Sequence, residues 1–288
     1  MGWSATKVGP TEEPDIGDLD DLDGLTPEEL ASVWRVEDLK SPLAAQQVAD
    51  AEMKAWGNQW SINGTYPVIP WPEGMPPPPV AVSIDALIQA CLTFPNATGL
   101  GWDAMHPRAI TRLSRDTLEL LVGILEWCEA NGTWPETACL FIVVLLSKAD
   151  GGFRPIGLLP LLPRIWMRSR RSLAQDWERN NPRDYLYAGC AKGADVAAWK
   201  QAARAELASA HSLAYAQSLL DMVKAFERVP HDVLVREAVA LKYPLWLLRL
   251  SIATYRLQRV VRVGVVYSGT AVATRGITAG SGFATTEL

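Results

Sequence analysis

Leu219-Leu220-Asp221-Met222-Val223-Lys224-Ala225-Phe226-Glu227-Arg228-Val229-Pro230-His231 is the stretch whose reading decides the fold. Asp221 ends a mostly apolar run, Leu213 to Leu220, at the point where a buried strand would stop. Lys224 and the Ala225-Phe226 pair follow, and Pro230 can open a helix at its first turn. A carboxylate at a strand end is held rigidly and can face a cleft, as a divalent-metal ligand must. Taken alone, the segment reads equally well as a strand, turn and helix carrying a solvated Asp.

Working outward, further segments fall in a definite order. Trp134-Pro135 precedes an apolar run from Cys139 to Leu146, then Ser147-Lys148-Ala149-Asp150-Gly151-Gly152-Phe153-Arg154-Pro155-Ile156-Gly157-Leu158-Leu159. A Gly-rich stretch, Tyr187-Ala188-Gly189-Cys190-Ala191-Lys192-Gly193-Ala194-Asp195, comes before the central segment. Arg275-Gly276-Ile277-Thr278-Ala279-Gly280-Ser281 comes after it, and Thr98-Gly99-Leu100-Gly101-Trp102-Asp103 stands at the head of the series.

In this order the segments resemble the reverse transcriptases of non-LTR (LINE-like) retrotransposons and their group II intron relatives, over about Pro95 to Leu288. The resemblance implies an α+β fold of fingers and partial palm, helix-rich with small antiparallel sheets. It implies RNA-directed DNA synthesis on an RNA template and a DNA primer from deoxynucleoside triphosphates, with two Mg²⁺ ions at the reacting oxygens. Asp221 matches the first metal-bridging carboxylate, helped by the backbone carbonyl of Met222. Lys148 and Arg154 match the residues that grip the triphosphate, one as a point charge and one as a fork. Lys224 and Ala225 flank the nucleotide beside Phe226, which matches the aromatic placed under the sugar, where a ribose 2′-hydroxyl would clash. Gly276 and Gly280 match the loop whose backbone approaches template and incoming base.

Two departures from the family pattern stand out. Ala279 occupies the place of a common Gln, so that side-chain contact is lost, whereas Glu227 in place of a common Asp keeps the charge. The family's Asp-Asp hairpin is not found between Gly280 and Leu288. The expectation is therefore an N-terminal portion of such an enzyme, inactive by itself. The alternatives are a nucleic-acid-binding remnant without catalysis and a mainly helical interaction protein.

The net charge of −5 conceals an asymmetry. Residues 1–40 carry 11 Asp and Glu against 3 Lys and Arg, while Lys148 to Arg275 carry 20 Lys and Arg against 10 Asp and Glu. A surplus of +10 coinciding with the motifs is the footprint expected for phosphate backbones, although basic runs are also ordinary solvated surface. The four cysteines form no CxxC pair, and the three histidines are scattered, which argues against a zinc site. No apolar run approaches the roughly 18 residues of a membrane span, and no signal peptide is evident. An intracellular protein is expected, with a nuclear location left open.

Residues 1–25 read as an acidic, disordered head. Residues 26–82 read as a helical extension, with helices to about Leu39 and from Pro42 to about Trp56, and a Pro-rich linker over 57–80. The partial reverse-transcriptase domain then occupies 83–288. Helices are expected from Ser83, over Arg108–Asn131, Pro163–Asn180 and Asp195–Ala210, and then over His231–Tyr243 and Leu245–Leu257. Cys139–Leu146 reads as a buried strand, and Arg259–Thr274 as a hairpin turning near Tyr267-Ser268-Gly269.

Overall fold

The computed structural model describes residues 41–61, 68–147, 153–183, 185–187, 193–218 and 222–288. The acidic head, the helix expected before Leu39, Lys148, most of the Gly-rich stretch and Asp221 lie outside these residues.

The described residues form an α+β structure of helices around one small sheet. Strand β1 (Leu140–Ser147) is apolar on both faces because both are covered. Phe141, Val143 and Leu145 enter the main core, while Ile142 and Val144 join a smaller cluster with Ile156, Leu158 and Val260. Strand β2 (Phe153–Leu158) returns antiparallel to β1, with Leu146 opposite Arg154 and Val144 opposite Ile156. The two strands thus form an antiparallel hairpin, and the residues that join them, Lys148 among them, lie outside the described residues.

The sheet departs from the expected antiparallel arrangement. Its order is β2-β1-β3-β4, and β3 (Gln258–Val263) runs parallel to β1. Parallel pairing needs a long crossover, which the helices between β2 and β3 supply. Strands β4 (Val266–Tyr267) and β5 (Ala271–Val272) both return along β3, so the 259–274 hairpin exists. Its turn lies at Gly264-Val265 rather than near Tyr267, because Gly264 takes φ +58, as a two-residue hairpin turn demands. Ser268 stays inside the returning limb: its amide donates to the Val261 carbonyl and its Oγ accepts from the Val261 amide.

Helix α1 (Pro42–Trp60) starts at Ser41, whose Oγ caps Ala44, and continues to Trp60, past the expected end near Trp56, because both tryptophans are buried. It packs on β3, β4 and β5 and is tied to them: Gln46 Nε2 donates to the Tyr267 carbonyl, and the Thr274 amide donates to that of Trp60. Arg259 is buried between the rings of Trp60 (4.5 Å) and Phe141 (4.9 Å), donating to the Tyr255 carbonyl. Cation–π contact and this hydrogen bond offset its desolvation. From Val68 to Val80 the Pro-rich strap is mostly exposed, with Ile69 and Trp71 touching the core.

Helix α2 (Ile84–Leu92) buries Leu87 and Cys91 and half-buries Ile84 and Ile88, the face its spacing predicts. The single helix expected over 108–131 is two. Pro107 opens a 3₁₀ helix to Arg112, Leu113 is extended, and Ser114 caps α3 (Arg115–Asn131) through the Thr117 amide. A Ser before an Asp-containing first turn is a helix start in its own right, which the longer periodicity obscured. Gly132, in the left-handed region, ends α3 as expected.

Helix α4 (Leu161–Asn180) is the central pillar. Trp166 packs edge-on against Trp134 and Phe283. Arg170 meets Glu129 of α3 in a buried two-pronged pair (2.6 and 2.7 Å), and the Trp166 indole donates to the same carboxylate. Both carboxylate oxygens thereby gain donors, three hydrogen bonds in all, as a buried ion pair requires. Beyond α5 (Ala194–Ala210) come the short α6 (Ala225–Arg228), α7 (His231–Ala240), α8 (Leu245–Tyr255) and α9 (Ala284–Glu287).

The strand expected to lead into Asp221 is absent over its described part. Residues 213–218 are exposed and belong to no sheet. An apolar strand holds its shape only when a neighbour takes its backbone groups, and none of the described strands lies beside it.

Candidate nucleotide site

Four of the segments singled out in the sequence are stitched together, and the stitching is mostly backbone. The loop 275–281 is its centre. Gly276, at φ +93, donates its amide to the Val229 carbonyl, and the Ile277 amide donates to that of Phe226, both at 2.8 Å. A Cβ on Gly276 would come within 2.8 Å of the Glu227 carbonyl oxygen. At the other end Ala279 accepts from the Gly157 amide at 2.6 Å, and a Cβ on Gly280, at φ +108, would collide with the Gly157 carbonyl. Both positions need glycine, for conformation and for space.

The head of the series is anchored to the same frame. Asp103 Oδ2 accepts from the Leu161 amide at 2.6 Å at the start of α4. Buried Arg164 donates to the Gly99 carbonyl and to Thr98 Oγ1, both at 2.7 Å. Gly101 lies so close to the Leu159 carbonyl that a Cβ there would be 2.5 Å from its oxygen. Thr98–Asp103, the start of α4, β2, the loop 275–281 and the 226–229 segment therefore form one connected unit.

Among the residues assigned to a nucleotide, Arg154 is exposed on β2, the strand that receives the glycine loop at Gly157. Phe226 is half-buried and packs against the core while its carbonyl holds Ile277, so it serves as packing whatever else it touches. Lys224 adopts the left-handed region and lays its ammonium 3.9 Å from the centre of the Trp56 ring. Ala225 opens α6. Met222 and Val223 are about two-thirds exposed, at 69% and 68%. Lys148 and Asp221 lie outside the described residues, so their distances to Arg154 and Phe226 are not part of this geometry.

Among the described residues no three His, Cys, Asp or Glu side chains are grouped to hold a metal ion. No described helix is long and apolar enough to cross a membrane.

Three elements escaped the sequence reading. Gly157, a glycine inside a strand, carries a signal for close backbone approach, and the loop uses it so. Ala279 contributes its carbonyl where a side chain was the expected currency. Behind the loop, Tyr255 and Tyr243 donate to buried Glu287, and Tyr255 also meets Ser281 Oγ at 3.0 Å. Burial pushes the Glu287 carboxyl up to about 7, with the tyrosine hydrogen bonds pulling partly back. Nothing in the local sequence pairs those residues.

No protein-family model matches this chain, and comparison with curated proteins finds no significant match.

Proposed function

We propose that this chain is the fingers and partial palm of an RNA-directed DNA polymerase of the non-LTR retrotransposon type, acting on an RNA template, a DNA primer and deoxynucleoside triphosphates. The observation that carries the reading is the mutual contact of Thr98–Asp103, Phe153–Leu159, Phe226–Val229 and Arg275–Ser281, since these remote segments bear the resemblance. A chance match would have no reason to bring them together through glycines that admit no side chain.

In this proposal Lys148 and Arg154 grip the triphosphate, and Lys224 and Ala225 border it. Phe226 lies under the sugar, and the half-buried Gly280 end of the loop faces template and base, with Gly276 buried behind it as the loop's anchor on Val229 and His231. Asp221 and the Met222 carbonyl would hold Mg²⁺, which when bound stabilises charge on the attacking and leaving oxygens.

One observation favours a second reading, a helical interaction protein. Helix α5 buries little beyond Ala208 and exposes Val196, Trp199 (77%) and Leu207 along one face. A stripe at that spacing is a partner-binding surface in many helices.

Photo-cross-linking separates the two. An RNA–DNA hybrid carrying a photoreactive base should label peptides containing Arg154, Phe226 and Gly276–Gly280. Labelling confined to α5, or none above a competitor-saturated control, would overturn the polymerase reading.

A further inference from the structure

The glycine loop touches one side chain whose chemistry neither the motif nor the packing requires. His231 is fully buried as the first residue of α7, where Pro230 caps the helix without a side-chain bond. Its Nε2 lies 2.9 Å from the Gly276 carbonyl oxygen, and Arg256 Nε lies 3.2 Å from its Nδ1. Arginine is only a donor, so Nδ1 must accept, and the ring proton belongs on Nε2, aimed at Gly276.

We propose that His231 is a positioning residue: a neutral Nε2–H imidazole, set in that tautomer by Arg256, latches the loop 275–281 to the 226–231 segment through the Gly276 carbonyl. The latch closes the third side of a frame whose other bonds are Gly276 to Val229 and Ile277 to Phe226. Phenylalanine could fill the volume but could not hold the carbonyl, and an imidazolium would turn a donor toward the guanidinium of Arg256.

The groups around the ring, taken together, favour a neutral state. Burial acts first to push His231 down, to about 4, and the Arg256 and Arg259 charges add to it. The Gly276 carbonyl and Asp232 act the other way and are outweighed. The Tyr255 ring, 6.3 Å away between centroids, shields the imidazole on the side of α8.

The tautomer can be read in the unaltered protein by ¹⁵N NMR of the histidine rings. His231 should remain neutral and Nε2-protonated from pH 8 to pH 5.5. A proton on Nδ1, or titration near the ordinary histidine value, overturns the proposal. Amide exchange provides the second arm. His231→Phe should speed exchange at Gly276 and Ile277 by about tenfold or more, the scale of a lost buried hydrogen bond, and leave Val261 in the sheet unchanged. His231→Gln, which can still donate to the carbonyl, should restore most of the protection. Equal loss at all amides in the Phe variant would make the ring simple core and refute the latch. That the loop serves a nucleotide site rests on the proposed function. If wild-type chain fails to bind an RNA–DNA hybrid while the exchange results hold, that reading fails and the latch stands.

Discussion

Gly157 and Gly280 meet backbone to backbone: neither leaves room for a Cβ, and the Gly157 amide donates to the carbonyl of Ala279 next door. The contact ties β2, which carries Arg154, to the loop whose other end is held at Phe226 and Val229. It is the joint that ties together segments more than a hundred residues apart in sequence.

Gly280→Ala should therefore be costly. It would force a left-handed backbone and a collision with a carbonyl that cannot swing aside, for about 2–4 kcal/mol of stability by urea unfolding. Gly269→Ala, at an ordinary φ with open space around it, should change stability by no more than about 0.5 kcal/mol. Equal effects at the two positions would contradict the joint.

Breaking the pair between Arg170 and Glu129 should be more damaging than removing any exposed ion pair. Arg170→Ala leaves a buried carboxylate with only the Trp166 indole, at a cost of about 3–5 kcal/mol. Arg115→Ala, which removes an exposed pair with Glu119, should fall within about 0.5 kcal/mol of wild type. Chemical denaturation of the two variants is the comparison.

What could be read from the sequence divides along physical lines. Elements set by short-range chemistry were legible: the all-apolar β1, the Pro-led α1, the Leu87–Cys91 face of α2 and the Gly132 stop. Elements that depend on distant partners were not. The parallel pairing of β1 with β3 is invisible locally, since either direction satisfies the same apolar run. The run 213–218 has the composition of a strand but no neighbour among the described residues. At the site, the glycines were legible as glycines, but their partners at Gly157 and Glu227 were not. His231 and Glu287 carry no local signal, because their meaning lies in what surrounds them.

Glu287 gives a pH prediction with a definite sign. Its carboxyl ionises near 4.5 when unfolded and near 7 when folded, so between these values the folded state holds the extra proton. Stability from this group is complete below 4.5 and falls as pH rises through 7. His231, lowered to about 4, acts in the opposite sense: its contribution is present above about 6.5 and lost as pH falls through 4. The two slopes oppose each other from about 4.5 to 6.5. Glu287→Gln removes one limb, so relative to the parent it should gain about 3 kcal/mol between pH 4.5 and pH 8. An unchanged difference in urea midpoints across that range would refute the buried-proton assignment.

Primer extension by the 288-residue chain should be undetectable, because Asp221 is the one carboxylate assigned to the metals and Mg²⁺ needs more than one such anchor. A chain continuing into an Asp-Asp hairpin and thumb should extend, and Asp221→Asn in that longer chain should abolish it. Extension by the shorter chain, or survival of activity in the Asn variant, would remove Asp221 from the centre of the reaction.

The most direct test is the affinity of the purified chain for an RNA–DNA hybrid, followed by fluorescence anisotropy across a series of salt concentrations. Several phosphate contacts from the basic half should make log K fall linearly with log salt, at a slope of about −3 or steeper. Absence of binding at low salt, or affinity indifferent to salt, would contradict the polymerase account.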